Sequence, residues 1–250
     1  MITLTTDFGA SEYVGAMKGV IYSIDPKILV VDISHGIRPF DIRQGAYVIY
    51  STYHYFPKKS IHVVVVDPGV GTLRRGIIIE ADGHFFIGPD NGVFSLIEAE
   101  RVFEIPKTDA GATFHGRDVF APAAARIEVG SQPEELGCEI KGYIRLMKKE
   151  VEASYTIKGE VYCTDRFGNI ITNIRQDHLQ NAGFKVGDEL TVHIDGRKFK
   201  MPFVRTYGEL KEWVLGALVN SSGHFEITVR EGSAGERIKI TGGEPVEVFP

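Results

Sequence analysis

Cysteine is nearly missing from this chain. Cys138 and Cys163 are the two in 250 residues, far apart and with no CxxC pair. Their scarcity argues against a disulfide framework and makes the cytoplasm the expected compartment. No apolar run approaches the roughly 20 residues that a membrane helix needs, so no membrane partner is expected. No signal peptide is expected either, because Met1 leads directly into the strand-like ITLTT. No basic block accompanies the formal net charge of -5, which argues against nucleic acid as the main partner. The short metal-ligand spacings HxH and HExxH are absent. So are internal repeats and low-complexity tracts. What is present is an ordinary globular composition, 43% hydrophobic and 24% charged, enough for one large domain or two smaller ones.

The chain has two rhythms. In the first, ITLTT (2–6) reads as a strand ending at Asp7-Phe8-Gly9. Tyr13, Val14, Met17, Val20, Ile21 and Ile24 then fall at a helical period, closed by Pro26. ILVVDI (28–33) reads as a second strand, and Asp41 with Gln44 resembles a capping box opening a helix through Tyr55. IHVVVV (61–66), GIIIEA (76–81) and HFFI (84–87) read as strands, the last two joined by an Asp82-Gly83 hairpin turn. Asp90-Asn91-Gly92 is expected to open a short helix, RVFEI (101–105) to form a strand and 117–129 a helix. Strands alternating with helices predict an α/β fold, with a mainly parallel sheet covered on both faces.

The rhythm changes near residue 150, in the polar stretch LMKKEVEASYTIKG. Short strand-like runs follow at 160–164, 189–194, 198–203, 224–229, 237–241 and 246–249, separated by turns such as Asp195-Gly196 and Gly242-Gly243. Regular short strands predict a small β-barrel or sandwich. The expected domains are therefore 1–150 and 151–250.

Polar clusters sit at the predicted strand ends. Four valines run into Asp67-Pro68, two glycines and the pair Arg74-Arg75. Loops leaving the carboxyl ends of strands are where open α/β sheets bind ligands. A carboxylate with a nearby guanidinium there can hold a polar reactant; the plain alternative is a Pro-Gly turn with solvated charges. Asp7, Asp32 and His35 end the earlier strands, and His115 precedes a glycine and a helix start. Asp32, His35, Asp67, Asp90 and His115 could in principle form a metal-dependent hydrolase site, but Arg74 beside Asp67 opposes a cation. In the second half, Thr164-Asp165-Arg166-Phe167-Gly168-Asn169 and Asn220-Ser221-Ser222-Gly223 are the densest polar segments. Both can bind an amino-acid head group or a heterocycle, and both are also ordinary turn chemistry.

Seven segments taken in order narrow the choice: TTDFG (5–9), VDISHGI (31–37), DPGVGTLRR (67–75), GPDNGVFS (88–95), TFHGRDVFAPAAA (113–125), DRFGNIITN (165–173) and NSSG (220–223). Together they resemble the S-adenosylmethionine hydroxide adenosyltransferase family, the S-adenosylmethionine hydrolases, whose relatives are the halide-using fluorinases and chlorinases. The resemblance implies an N-terminal α/β/α domain and a C-terminal β-barrel. It also implies a homotrimer whose substrate binds between neighbouring subunits. The implied reaction is attack of a water-derived oxygen on the ribose 5′ carbon of S-adenosyl-L-methionine, giving adenosine and L-methionine without a metal or other cofactor.

The resemblance assigns roles as well. Asp67, Arg74 and His115 match the water-activating set, with Arg75 left for solvent or a subunit contact. Either Asp67 or His115 could take the proton. Asp7 matches the carboxylate that grips the ribose hydroxyls. Asp165 and Ser221 match contacts to the methionine end, Phe167 and Asn169 contacts to adenine. Tyr207 is a candidate second stacking ring, and Phe40 a lining of the nucleophile pocket. Ser222 stands where the halogenases carry an arginine. Halide users also replace the Asp and His of the set, and an anionic Asp67 would repel a halide, so a hydrolase is expected over a 5′-halogenase. The remaining alternative is a sensor that binds adenosine or S-adenosylmethionine with negligible turnover.

Overall fold

A computed structural model of the protein describes residues 1–106, 113–148 and 150–250. The chain divides into two compact units, Met1–Leu146 and Met147–Pro250.

In the first unit the strands are β1 (Ile2–Thr6), β2 (Val30–Ser34), β3 (Ile61–Val65), β4 (Gly76–Ala81), β5 (His84–Pro89), β6 (Arg101–Ile105) and β7 (Cys138–Glu139). They form one sheet in the order β2-β1-β3-β5-β4-β6-β7. The pairs β2-β1, β1-β3 and β3-β5 are parallel, and β4 runs against both β5 and β6. The valine run is buried because successive side chains face opposite sides of a sheet covered on both. Val63 and Val65 pack with Met17 and Ile21 of helix α1 (Glu12–Ile24). Val64 packs on the other side with Ile49 of helix α2 (Ile42–Thr52) and Phe86. Asp41 caps α2 by accepting the Gln44 amide at 2.9 Å; the Gln44 side chain reaches back to the Arg38 amide rather than to Asp41.

One local expectation is corrected and another is refined. Asp90-Asn91-Gly92 opens a series of turns, not a helix. The Asn91 side chain donates to the Val66 carbonyl at 2.8 Å, and the Gly92 carbonyl accepts both the hydroxyl and the amide of Ser95, closing a tight turn where an α-helix would take the amide of residue 96. The expected helix at 117–129 begins as a π-helical turn, Gly116–Phe120, before helix α3 (Ala121–Glu128). A short helix α4 (Pro133–Leu136) precedes β7.

The second unit carries β8 (Glu152–Ala153), β9 (Ile157–Thr164), β10 (Ile170–Arg175), β11 (Glu189–Ile194), β12 (Arg197–Pro202), β13 (Leu215–Val219), β14 (His224–Val229) and β15 (Pro245–Phe249). Its antiparallel sheet runs β12-β11-β15-β9-β10-β14-β13, with β8 on β9. An isolated bridge, Phe203 to Ala217, links the two ends, so the sheet nearly closes into a barrel around Val161, Ile174, Val192, Phe225 and Val246. Helix α5 (Gln176–Asn181) follows β10. The expected strand 237–241 is corrected: Ala234–Ile238 is helix α6, and Ser233 caps it by accepting the Glu236 amide. The alternation RIKIT misled because Ile238, the last residue of α6, and Ile240, past the left-handed Lys239 that ends it, are both buried in the barrel core, so a spacing of two arises without a strand. Among the described residues no helix is long and apolar enough to cross a membrane.

Candidate active site

Parallel pairing of β1 with β3 sets Thr6 opposite Val65 and brings the two following loops side by side. Asp7 and Asp67 stand in those loops and line one cavity of about 590 Å³ with Phe40, Phe114 and His115. This is the carboxyl edge of parallel strands, where chain ends open into a crevice.

Arg74 joins Asp67 to His115. Its Nε donates to Asp67 Oδ1 at 2.8 Å and its Nη2 donates to Oδ2, a two-pronged pair. The same Nη2 lies 2.7 Å from His115 Nδ1. A guanidinium can only donate, so Nδ1 accepts and the ring hydrogen sits on Nε2. The Asp67 and Arg74 side chains are 6% and 8% exposed, so solvent screens the pair weakly. The Phe120 ring lies 5.3 Å from the guanidinium and adds a cation–π contact. The π-helical turn begins immediately after His115, a device often found at functional sites.

Asp7 is held differently. Its Oδ2 accepts the Phe40 amide at 2.8 Å. Burial pushes its carboxyl pKa up; the Phe40 amide opposes that rise and the Asp67 charge adds to it. Phe40 itself has φ of 67°, a left-handed conformation that costs a bulky residue on the order of 1–3 kcal/mol. It remains 68% exposed, so core packing does not force it there. Phe8, Tyr13 and Phe114 form a cluster with centroids 5.2–5.7 Å apart, and all three rings border the cavity.

The other strand-end acids are taken up in pairs. Asp32 bonds Lys18 Nζ at 2.6 Å and lies 3.1 Å from His35 Nε2. Burial raises its pKa, but Lys18 and His35 outweigh that and the net shift is downward. Arg75 turns inward, not to solvent, and its Nε donates to the buried Asp90 at 2.9 Å. Among the described residues no group of three or more His, Cys, Asp or Glu side chains could hold a metal ion.

In the second unit Asp165 organises its own loop. Oδ1 accepts the amides of Phe167 and Asn169 at 2.9 and 2.8 Å, and Oδ2 accepts the Asn169 side chain at 3.0 Å. Asn169 is buried and its oxygen accepts from Thr228 Oγ1 at 2.6 Å. Phe167 projects outward, 77% exposed. Tyr207 donates to Glu226 at 2.7 Å, Ser221 is exposed, and Ser222 is half-buried with its amide on Asn220 Oδ1.

Residues 2–137 match the family model for the SAM hydroxide adenosyltransferase N-terminal domain, and residues 159–247 that for its C-terminal domain. The chain belongs to the SAM hydroxide adenosyltransferase family. It is 39% identical to the (R)-S-adenosyl-L-methionine hydrolase of Methanocaldococcus jannaschii, covering all of this chain and 95% of that one. Identity to the Thermus thermophilus protein of the same name is 37%, covering 98% and 97%. A solved structure of an uncharacterized conserved protein from Thermotoga maritima superposes over the whole of both chains with a TM-score of 0.89 at 33% identity.

Sequence reasoning missed Glu226 and the cavity wall of Phe8, Tyr13 and Phe114. Glu226 had a signal: an acid inside the otherwise strand-like HFEITV, buried to 2% exposure. The wall had only a weak one: Phe8 and Phe114 stand next to Asp7 and His115 in the chain, but an aromatic side chain by itself looks the same in a core as in a pocket.

Proposed function

We propose that this protein hydrolyses S-adenosyl-L-methionine to adenosine and L-methionine. The observation that carries the reading is Asp67, Arg74 and His115 linked by one guanidinium at the edge of a 590 Å³ cavity. The hydrolase relatives that match the chain end to end favour the same reaction.

A sulfonium leaves readily, so the difficulty lies in the nucleophile. Free water has a pKa of about 15.7 and hydroxide is scarce at neutral pH. Asp67 accepts a water proton as the oxygen attacks C5′ from the side opposite sulfur. The C5′–O bond forms, the C5′–S bond breaks, and its electron pair stays on sulfur as the methionine thioether. Arg74 keeps Asp67 aimed, and its hydrogen bond to Nδ1 leaves the His115 Nε2–H as a donor towards the attacking oxygen. On this reading Asp67, rather than His115, accepts the proton. General base action is typically worth about 10²–10⁴-fold, and in-line positioning contributes further.

Asp7 takes the ribose diol, an arrangement suited to two acceptor oxygens, and Phe40 screens the nucleophile from bulk water. Asp165, Ser221 and Ser222 receive the methionine end, and Phe167, Asn169 and Tyr207 the adenine end. We place the working form as a homotrimer with substrate at the subunit boundaries. The free thiols of Cys138 and Cys163 suit the cytoplasm. The test is incubation with S-adenosylmethionine in water carrying the heavy oxygen isotope, with no added metal. Label at the adenosine 5′ oxygen is expected; tight adenosine binding without any product would favour a sensor instead.

A further inference from the structure

Side chains alternate along β14. Phe225, Ile227 and Val229 belong to the barrel core, so His224, Glu226 and Thr228 lie on the opposite face. That face of a barrel ordinarily meets water, yet these three are only 2%, 2% and 1% exposed. Each bonds a neighbouring segment. Thr228 donates to Asn169, which in turn donates to Asp165. His224 Nδ1 lies 2.9 Å from the Thr172 carbonyl oxygen. Glu226 accepts from the Tyr207 hydroxyl at 2.7 Å and from Asn220 Nδ2 at 3.1 Å.

An ionised carboxylate only accepts, so Glu226 fixes both partners as donors. With its nitrogen on Glu226, the Asn220 amide must present its oxygen the other way. That oxygen accepts the backbone amides of Ser222 at 3.0 Å and His224 at 3.1 Å, which shapes the Ser221–Ser222 turn. Among the described residues no lysine or arginine pairs with Glu226. Burial pushes its pKa up and the nearby Asp165 adds to this, while Tyr207 and Asn220 pull it down. A buried acid kept at that cost needs a reason beyond filling space.

We propose that Glu226 is a positioning residue for substrate binding, setting the Tyr207 ring directly and the Ser221–Ser222 backbone through Asn220. This rests on the reading of those segments as the nucleoside and amino-acid contacts. Glu226→Ala should raise KM for S-adenosylmethionine about tenfold and leave kcat within about threefold, the scale of one or two net hydrogen bonds. A merely structural glutamate would instead lower the active fraction and the melting temperature and leave KM alone. Glu226→Gln keeps an acceptor for Asn220 and turns its NH₂ to the Tyr207 oxygen, and should restore KM to within about threefold of wild type. If Glu226→Ala does not fold, Tyr207→Phe removes one of the two bonds and should raise KM about threefold.

An unchanged KM in Glu226→Ala, or in Tyr207→Phe where the first variant is unfolded, overturns the proposal. Calorimetric titration with S-adenosylmethionine separates it from the hydrolase reading. Wild type that binds without turnover sinks hydrolysis, and the Kd ratio of variant to wild type still judges Glu226. Wild type that neither binds nor turns over overturns both.

Discussion

Arg74 and Arg75 are neighbours in the chain, and each grips an aspartate less than a tenth exposed. They differ in the third partner. Arg74 carries its pair on to His115 at the cavity edge. The aspartate of the other pair, Asp90, instead accepts the Ile144 amide at 2.7 Å, and Arg75 lies 3.5 Å from the Gly142 carbonyl oxygen. One pair orients groups that face a reactant, whereas the other clasps the 142–144 segment to the sheet. An arginine–aspartate bridge in a sequence therefore says little about role until its next contact is known.

The sharpest way to break this contrast is Asp67→Asn, which keeps shape and removes the proton acceptor. Turnover should fall by about 10²–10⁴-fold with nucleoside binding retained; a loss under tenfold would end the assignment. Asp90→Ala should do the reverse. It should lower unfolding free energy by about 2 kcal/mol in urea titration, a figure discounted because Arg75 is one-third exposed. Turnover per folded molecule should stay unchanged, and a large drop there would make the two pairs alike. His115→Ala should slow turnover about 10-fold, because it removes a donor and spares the base.

A smaller effect concerns acid. His62 is fully buried, its Nδ1 2.8 Å from Thr3 Oγ1, and burial lowers its pKa to about 3, with His84 reinforcing the shift. The unfolded chain binds the proton near pH 6.5 and the folded one does not. Stability from this site is therefore complete above pH 6.5 and is lost as pH falls from there towards 3. The melting temperature should drop across that window, and less steeply in His62→Gln. Least of all, Phe40→Gly relieves a left-handed φ and should raise stability by about 1 kcal/mol or less, while KM rises from the lost wall. A fall in melting temperature would show that the exposed ring packs against something after all.

Much of this was legible from residues alone. The valine run, its Asp-Pro-Gly exit and the alternation of strands with helices are enough to mark a sheet edge. The link from Arg74 to His115 was not legible, because it spans 41 residues and depends on how β3 and the π-helical turn meet. Resemblance, not spacing, grouped those two. Glu226 shows the opposite failure. Its position was visible, but the reason for an acid inside a strand lies in Tyr207 and Asn220, side chains from other loops. The helix that Ser233 caps at the Glu236 amide is likewise missed in favour of a strand at 237–241.

The shared guanidinium has a last consequence. One carboxylate, one guanidinium and one imidazole accepting a hydrogen bond sum to zero. Those three groups therefore exert no net long-range pull on a positively charged sulfur compound, and the pull that there is comes from the charges around them in a protein of formal net charge -5. Added salt should then weaken capture of the substrate from solution while leaving the bond-making step untouched.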